Sequence, residues 1–128
     1  MKLGEVMQYN IIMLNPEDTI KKTLDLMNEN HINGAPIVDK DNRLLGIVVK
    51  ADIYRFLIEE GHYDTYPISS IMTKNVVCAN LQEDVIDAAK KLIDNEIVAI
   101  PIVDVDKVVG IVSMENIIKY LVSIEEQK

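Results

Sequence analysis

Two turns in this sequence join an apolar, glycine-containing run to the start of a helix and carry residues suited to ligand binding. They read Gly46-Ile47-Val48-Val49-Lys50-Ala51-Asp52 and Gly110-Ile111-Val112-Ser113-Met114-Glu115-Asn116. A helix start presents free backbone amides and the positive end of the helix dipole, which favour an anion such as phosphate. Ser113 can add a hydroxyl hydrogen bond to phosphate, and the Asp52 carboxylate can accept both hydroxyls of a ribose. These residue types could therefore hold a ligand that carries phosphate and ribose.

Helix capping is the alternative interpretation of Ser113 and Asp52. Both residue types are common at helix starts, where their side-chain oxygens accept hydrogen bonds from backbone amides. On the local residues alone, capping or helix stabilisation is favoured over ligand binding.

Residues for catalysis or metal binding form no recognisable group. The sequence has no Walker loop, no dinucleotide-binding glycine fingerprint and no paired carboxylates. His31 and His62 lie far apart without clustered ligands beside them, so no metal site is expected. Cys78 sits in an apolar run without a histidine and an acid placed to activate it, which favours a buried structural role. We expect no enzyme activity, no catalytic residue and no resident cofactor.

The two turns belong to a longer internal repeat. Ala35-Pro36-Ile37-Val38-Asp39 returns as Ile100-Pro101-Ile102-Val103-Asp104. Met7 matches Met72 at an offset of 65, and Gly46 matches Gly110 at an offset of 64. The agreement is collinear over about forty-five positions. Two copies of this length are typical of a paired module rather than of a solenoid.

Each copy predicts a strand, a helix, a hairpin of two strands and a closing helix. The strands are short apolar runs, and the first helices show apolar residues at a 3.6-residue period. Helix caps are expected at Asn15 and Asn80, or two or three residues later, because an acidic residue follows each asparagine three positions on. The predicted strands include residues 11–14, 35–38, 44–49 and 76–79, and the closing helices cover 51–60 and 114 to about 124. The fold class is α/β (α+β), with two β-α-β-β-α repeats.

The copies define the expected domain organisation. Residues 1–61 form the first repeat, 62–70 a linker and 71–128 the second repeat. A lone copy of roughly sixty residues would leave one face of its sheet open. We therefore expect the two repeats to pack into one compact module.

Composition and charge narrow the class of protein. Of 128 residues, 48% are hydrophobic and 27% charged, which is typical of a globular domain. The net charge of −8 repels phosphate backbones, so no nucleic-acid partner is expected. No apolar run approaches the ~18 residues of a membrane span, nothing resembles a signal peptide, and the single cysteine suits a reducing compartment. We expect a soluble cytoplasmic protein without membrane contact.

The ordered motifs of both copies resemble the cystathionine-β-synthase (CBS) domain. In the first copy the resemblance rests on Val6-Met7, Asp18-Thr19-Ile20, Pro36-Ile37-Val38-Asp39, Gly46-Ile47-Val48 and Asp52-Ile53. In the second copy it runs from Ile71-Met72-Thr73 to Asn116-Ile117. Any single motif is weak, but the full set given twice is specific and covers essentially the whole chain. The resemblance implies a freestanding tandem CBS pair, or Bateman module, with repeats related by a pseudo-twofold axis.

Such a pair is expected to form two clefts between its copies that bind adenosine-type ligands. By the resemblance, each cleft takes strand-one and pre-proline residues from one copy and the glycine-to-aspartate turn from the other. The first, cleft A, would combine Thr73, Val77, Val98 and Ala99 with Val49, Lys50 and Asp52. The second, cleft B, would combine Gln8, Ile12, Asn33 and Gly34 with Ser113 and Asn116.

Both turns depart from the family pattern, which has threonine or serine three residues after the glycine and aspartate three further on. Cleft A keeps the aspartate but has Val49 in place of the hydroxyl, whereas cleft B keeps the serine but has Asn116 in place of the carboxylate. Asparagine lacks the charge and the second acceptor oxygen, which weakens a ribose contact by roughly 1.5–3 kcal/mol. Cleft A loses only a phosphate contact, which Lys50 or Lys74 can supply. Cleft A is the better candidate.

Two hypotheses for function follow. The first is a regulatory small-molecule-binding module that senses an adenine nucleotide (AMP, ADP or ATP), with S-adenosylmethionine ranked below these. By the resemblance, it would associate as a homodimer, for which the amphipathic closing helices offer contact faces. It would act on a regulated protein that the sequence does not identify. The alternative is a non-binding dimerisation or protein-interaction module with degenerate clefts, which the substitutions in both turns support.

Overall fold

The computed structural model describes the whole chain, residues 1–128, and divides it into two compact units. Unit 1 joins Met1–Ile11 to Val77–Lys128, and unit 2 is Ile12–Val76. The segment that opens the first repeat therefore lies in the unit of the second repeat. The segment that opens the second repeat lies in the unit of the first. The compact unit and the sequence repeat are thus different sets of residues.

The chain forms four helices and five strands. The helices are α1 (Ile20–Glu29), α2 (Lys50–Leu57), α3 (Val85–Asp94) and α4 (Met114–Glu126). The strands are β1 (Gly34–Val38), β2 (Leu44–Val49), β3 (Ala79–Asn80), β4 (Ala99–Asp104) and β5 (Lys107–Ser113). In unit 2, β1 and β2 form an antiparallel pair; in unit 1, β3 lies parallel to β4, which is antiparallel to β5. The predicted α/β class is confirmed. No helix is long and apolar enough to cross a membrane.

The first strand of each copy is shorter than the apolar run predicted. Of residues 11–14 only Leu14 pairs with the sheet, in a single bridge to Ile37. In the second copy the strand is Ala79–Asn80 rather than residues 76–79. Each predicted run includes the point where the chain passes from one unit to the other, so only its last residue reaches the sheet.

The caps of helices α1 and α3 lie four residues after Asn15 and Asn80, one residue beyond the range predicted for them. Thr19 caps α1 and Asp84 caps α3, each accepting a hydrogen bond from a first-turn amide. Asn80 instead accepts a hydrogen bond from the Gln82 amide at 3.0 Å, within the preceding turn. The asparagine motif therefore shapes the approach to the helix, because its local hydrogen bonds close a turn rather than a cap.

The closing helices also differ from their predicted lengths. Helix α2 ends at Leu57, and the chain then turns to Gly61, whose φ of +82° favours glycine. Helix α4 continues to Glu126, two residues beyond the predicted end.

Each unit has its own apolar core, and a short segment that we call a strap closes each one. Strap 1, residues 2–8, packs on unit 1, and strap 2, residues 67–73, packs on unit 2. The straps match at the repeat offset of 65 and contain equivalent 3₁₀ turns, Leu3–Glu5 and Ile68–Ser70. Leu3 and Ile68 are both fully buried, in the cores of units 1 and 2 respectively. Burying one such side chain contributes about 1.5–3 kcal/mol, so each strap is an integral part of its unit.

Candidate ligand-binding site

In unit 2, strand β2 runs directly into helix α2 at Val49 and Lys50. Val49 is the N-cap residue, with an extended backbone (φ −117°, ψ 151°), and its side chain makes no capping hydrogen bond. The Lys50 amide donates to the Asn33 carbonyl at 2.7 Å, and Gly34 pairs with Val49 across the β1–β2 ladder. The start of α2 therefore adjoins the pre-proline segment of its own repeat and carries no side-chain cap.

Asp52 lies in the first turn of α2, where the helix dipole favours a negative charge. Its side chain is 32% exposed and forms an ion pair with Arg55, whose side chain is 71% exposed. The contact joins Arg55 Nη1 to Asp52 Oδ1. The carboxylate is thus accessible, but one of its two oxygens is already engaged.

Thr73, the last residue of strap 2, lies beside the strand that leads to α2. Its backbone exchanges two hydrogen bonds with Ile47, at 3.0 and 2.8 Å. A side chain on Gly46 would place its Cβ 2.8 Å from the Thr73 carbonyl oxygen, which is closer than real Cβ atoms come. The glycine of the turn motif is therefore required by the close approach of the strap.

The direction of this pairing decides whether Lys50 or Lys74 is better placed to supply the phosphate contact that Val49 cannot make. Because Thr73 pairs with Ile47 in the antiparallel sense, the chain beyond Thr73 runs away from the start of α2. Lys74 continues in that direction, whereas Lys50 is the first residue of the helix. Lys50 is the better placed of the two.

In unit 1, the equivalent turn is closed by its own side chains. The Asn116 amide donates to Ser113 Oγ at 3.0 Å, and the Ser113 amide donates to Asn116 Oδ1 at 2.9 Å. This reciprocal pair is a capping box at the start of α4. The capping interpretation of Ser113, left open by the sequence, is what the structure shows.

The neighbours of the α4 start repeat those of the α2 start. The Met114 amide donates to the Val98 carbonyl at 2.9 Å, and Ala99 pairs with Ser113 across the β4–β5 ladder. Gln8, the last residue of strap 1, exchanges two backbone hydrogen bonds with Ile111, at 2.8 and 3.2 Å. The two units therefore build the same framework and differ in the side chains that it carries.

The predicted site residues divide between the units. Unit 2 holds Ile12, Asn33, Gly34, Val49, Lys50, Asp52 and Thr73, and unit 1 holds Gln8, Val77, Val98, Ala99, Ser113 and Asn116. Val98 is 71% exposed, whereas Val77 is half-buried against the core of unit 1 and Ile12 is half-buried in unit 2. Within each unit, the helix start, the pre-proline residues and the end of the strap lie beside the C-terminal part of one β-strand, which is β2 in unit 2 and β5 in unit 1.

Arg55 is a functional candidate that is absent from the residues predicted from the sequence. It follows Asp52 by three residues, the spacing at which opposite charges meet on one face of a helix. That spacing was visible in the sequence, because both residues fall within the predicted closing helix, but the spacing alone does not mark a ligand-binding residue.

The structure also has a surface depression that lies apart from these residues. A shallow depression of about 300 Å³ on the exposed side of α1 is lined by Thr19, Lys21, Lys22, Asp25, Leu26 and Glu29. It contains none of the predicted ligand-binding residues. No group of three histidine, cysteine or acidic side chains is placed to hold a metal ion.

Comparison with known proteins identifies the family. The sequence pattern of the CBS domain matches residues 3–59 and again residues 68–123, so the chain belongs to the CBS domain family. The CBS domain pair of protein MJ0100, solved in complex with 5′-methylthioadenosine and S-adenosyl-L-methionine, is 29% identical, with a TM-score of 0.86. The match covers 96% of this chain and 97% of that chain. The predicted tandem CBS pair is confirmed.

Other relatives place such a pair in different contexts. CBSX2, solved in complex with AMP, shares the fold with a TM-score of 0.88 at 22% identity, over 97% of this chain and 98% of that chain. Homoserine O-acetyltransferase of Methanococcus vannielii is 34% identical over 88% of this chain. Inosine-5′-monophosphate dehydrogenase of Methanocaldococcus jannaschii is 31% identical over 92% of it. In both enzymes the match spans only 23% of the relative's length.

Proposed function

We propose that this CBS pair is a regulatory module that binds an adenine nucleotide, with Asp52 holding the ribose and the start of α2 facing the phosphate. The observation that carries this proposal is the set of groups found together at the start of α2. It combines an accessible carboxylate, a lysine at the first helical position and a cap residue without a capping side chain. First-turn amides without a side-chain cap and the positive end of the helix dipole favour a phosphate there.

The start of α4 is the weaker binding site in this proposal. Asn116 Oδ1 already accepts the Ser113 amide, so a ribose would have to compete with that hydrogen bond. Ser113 Oγ accepts the Asn116 amide but keeps its own proton, which it can still donate to a phosphate oxygen. We expect ligand at the α2 start first, and at the α4 start only at higher concentration.

A solved relative supports an adenosine-type ligand. The CBS pair of MJ0100, which matches nearly the whole of this chain, was solved with two adenosine derivatives. The enzymes among the relatives are matched over less than a quarter of their length, so we carry none of their reactions over. Our proposal assigns no catalytic step to this chain; its output is a change in a regulated protein that responds to the bound state.

Calorimetry with AMP and ATP on the wild type and on Asp52→Ala tests the proposal. Loss of a charge-assisted contact to the ribose should weaken binding about ten- to hundredfold. Asp87→Ala is the matched control, because Asp87 is an acidic residue in the first turn of α3 and is absent from the predicted site. Equal affinity of wild type and Asp52→Ala would reject Asp52 as the ribose-binding residue.

A second candidate function, a dimerisation or docking module without a ligand, is favoured by the outer face of α4. Ile118, Leu121 and Val122 are 58%, 50% and 51% exposed on this helix. Three large apolar side chains on one helix are typical of a contact surface. Under this candidate, Leu121→Lys would convert a homodimer to monomer in sedimentation experiments, and no adenosine compound would raise the melting temperature. A ligand at 100 times its dissociation constant would add about 2.7 kcal/mol of stability, so binding is readily detected.

A further inference from the structure

We propose that Arg55 makes the α2 site selective for adenosine ligands that carry phosphate, because it exchanges its ion pair with Asp52 for a contact to the ligand's phosphate. The inference rests on the proposed function and names the ligand class of that same site. It starts from the contact between Arg55 Nη1 and Asp52 Oδ1.

The ion pair competes with the ribose for the same carboxylate. An ionised aspartate is only an acceptor, with two oxygens to offer. A ribose presents two hydroxyls, and holding both requires both oxygens of Asp52. Since Arg55 occupies Oδ1, a nucleoside without phosphate has to share that oxygen or displace the guanidinium into water.

A phosphate gives the displaced guanidinium a new partner. Arginine carries five donors in a planar fork that matches phosphate oxygens as well as carboxylate oxygens. A nucleotide therefore replaces the contact that it breaks, whereas adenosine does not. The ion pair thus penalises the uncharged ligand more than the charged one.

The position of Arg55 directs its guanidinium toward the start of α2. Side chains of a helix lean toward its N-terminus, so a long side chain covers the turn that precedes it. The contact with Asp52, three residues earlier, shows this direction. The same direction leads on to Lys50 and the first-turn amides, where the phosphate is proposed to lie. With 71% of its side chain exposed, Arg55 is free to change partner.

The charges at the two helix starts support a difference in ligand preference. The α2 start carries Lys50 and Arg55 against one carboxylate, and Lys50 takes part in no ion pair. At the α4 start, Lys119 stands at the position of Arg55 but pairs with Glu115 at 3.0 Å instead of with the residue equivalent to Asp52. The excess positive charge, and the competing ion pair, therefore belong to the α2 start alone.

Calorimetry with ATP and with adenosine on the wild type, Arg55→Gln and Lys119→Gln tests the exchange. We expect Arg55→Gln to weaken ATP binding about tenfold, as the loss of one charge-assisted contact at an exposed side chain does. Adenosine should bind Arg55→Gln at least as tightly as it binds the wild type, because Asp52 is released. Lys119→Gln should leave the ratio of the two affinities unchanged.

The ratio of affinities separates the possible failures. If Arg55→Gln weakens ATP and adenosine equally, Arg55 only positions Asp52 and the exchange is wrong. If Asp52→Ala weakens both ligands but Arg55→Gln alters neither, the exchange is wrong and the proposed function stands. If neither compound binds the wild type or Arg55→Gln, the proposed function fails and the inference fails with it.

Discussion

Ser113 and Asn116 hold each other at the start of α4, with Asn116 N donating to Ser113 Oγ at 3.0 Å and Ser113 N donating to Asn116 Oδ1 at 2.9 Å. Val49, at the equivalent position before α2, offers no oxygen to the amides that follow it. The side chains at the start of α4 therefore satisfy each other's hydrogen bonds. The equivalent amides at the start of α2 have no side-chain cap and can donate to an external acceptor. This difference orders the two sites and yields the first prediction.

Removing the cap of α4 should destabilise the chain, and adding one to α2 should stabilise it. Ser113→Ala is expected to lower the free energy of unfolding by about 0.5–2 kcal/mol, since it loses the acceptor of the Asn116 amide. Val49→Thr should raise it by up to about 1 kcal/mol, because threonine supplies a capping oxygen and keeps the β-branched shape of the strand. Urea denaturation of both variants measures the two changes.

The double variant Ser113→Ala with Asn116→Ala is the control for that experiment. Reciprocal hydrogen bonds are lost together, so the second substitution should add much less than it costs alone. Full additivity of the two losses would contradict a shared capping box.

A side chain at the glycine of either turn should destabilise the chain. A Cβ on Gly46 would lie 2.8 Å from the Thr73 carbonyl oxygen, and one on Gly110 would lie 2.6 Å from the Gln8 carbonyl oxygen. Gly46→Ala and Gly110→Ala should each cost about 1–3 kcal/mol, because backbone has to move. Hydrogen exchange of the Thr73 and Gln8 amides should speed up in the respective variant, since each amide is bonded to the strand beside its glycine.

Gly61→Ala provides the comparison for these substitutions. Its Cβ would meet nothing within 4 Å, so only the positive φ of +82° opposes a side chain there. The cost should be about 1–2 kcal/mol of local strain, without faster exchange at either strap. Faster exchange at Thr73 in Gly61→Ala would show that strap protection does not report the glycine contact.

The β4–β5 hairpin should gain stability from an asparagine at its tip. Val105 and Asp106 have φ values of +48° and +67°, the signature of a type I′ turn. A β-branched residue is poorly suited to this region, and Val105 is 83% exposed, so it gains little from burial. Val105→Asn should stabilise the chain by about 1 kcal/mol, measured by urea denaturation. A loss of stability would mean that the exposed valine makes contacts that outweigh its strain.

Acid should remove the stabilising effect of Asp84. The backbone hydrogen bond from Ile86, followed by the hydrogen bond from the N-terminal amine, lowers the pKa of its carboxyl from 3.8. A carboxyl with a lowered pKa stabilises the fold above its unfolded pKa, and this contribution is lost as the pH falls through the lower, folded pKa. The difference in unfolding free energy between wild type and Asp84→Asn should therefore be full at pH 7 and shrink below about pH 3.8.

Asp87→Asn is the reference for this pH dependence, because Asp87 lies on the same helix, is exposed and caps nothing. A difference between wild type and Asp84→Asn that stays constant from pH 7 to pH 2.5 or so would contradict the assigned role of Asp84.

Much of the fold followed from local patterns. The hairpin strand Leu44–Val49 has the predicted bounds, and the 3.6-residue period of α3 places Val85 and Leu92 in the core. These elements depend on hydrogen bonds and burial within short stretches of chain, which periodicity reports directly. The position of a helix cap does not follow from the local sequence in the same way. Asn80 and Asp84 are both good capping residues, and only the backbone geometry selects between them.

The candidate site was also only partly predictable from the sequence. The types and spacing of Asp52 and Ser113 identified both helix starts, and the CBS resemblance gave them a ligand class. Whether each side chain was free or engaged could not be determined in that way. Ser113 is engaged by Asn116, and Asp52 is engaged by Arg55 through a spacing that is as common on helices that bind nothing.

The sequence by itself determined the family, the repeat and the order of helices and strands, because each follows from residue types and their order along the chain. Only the tertiary structure decided that each strap joins the unit of the other repeat. That choice depends on the Thr73 carbonyl meeting Gly46, and the Gln8 carbonyl meeting Gly110, across a long separation in sequence. A glycine permits such an approach, but only the packed backbone shows which segment makes it.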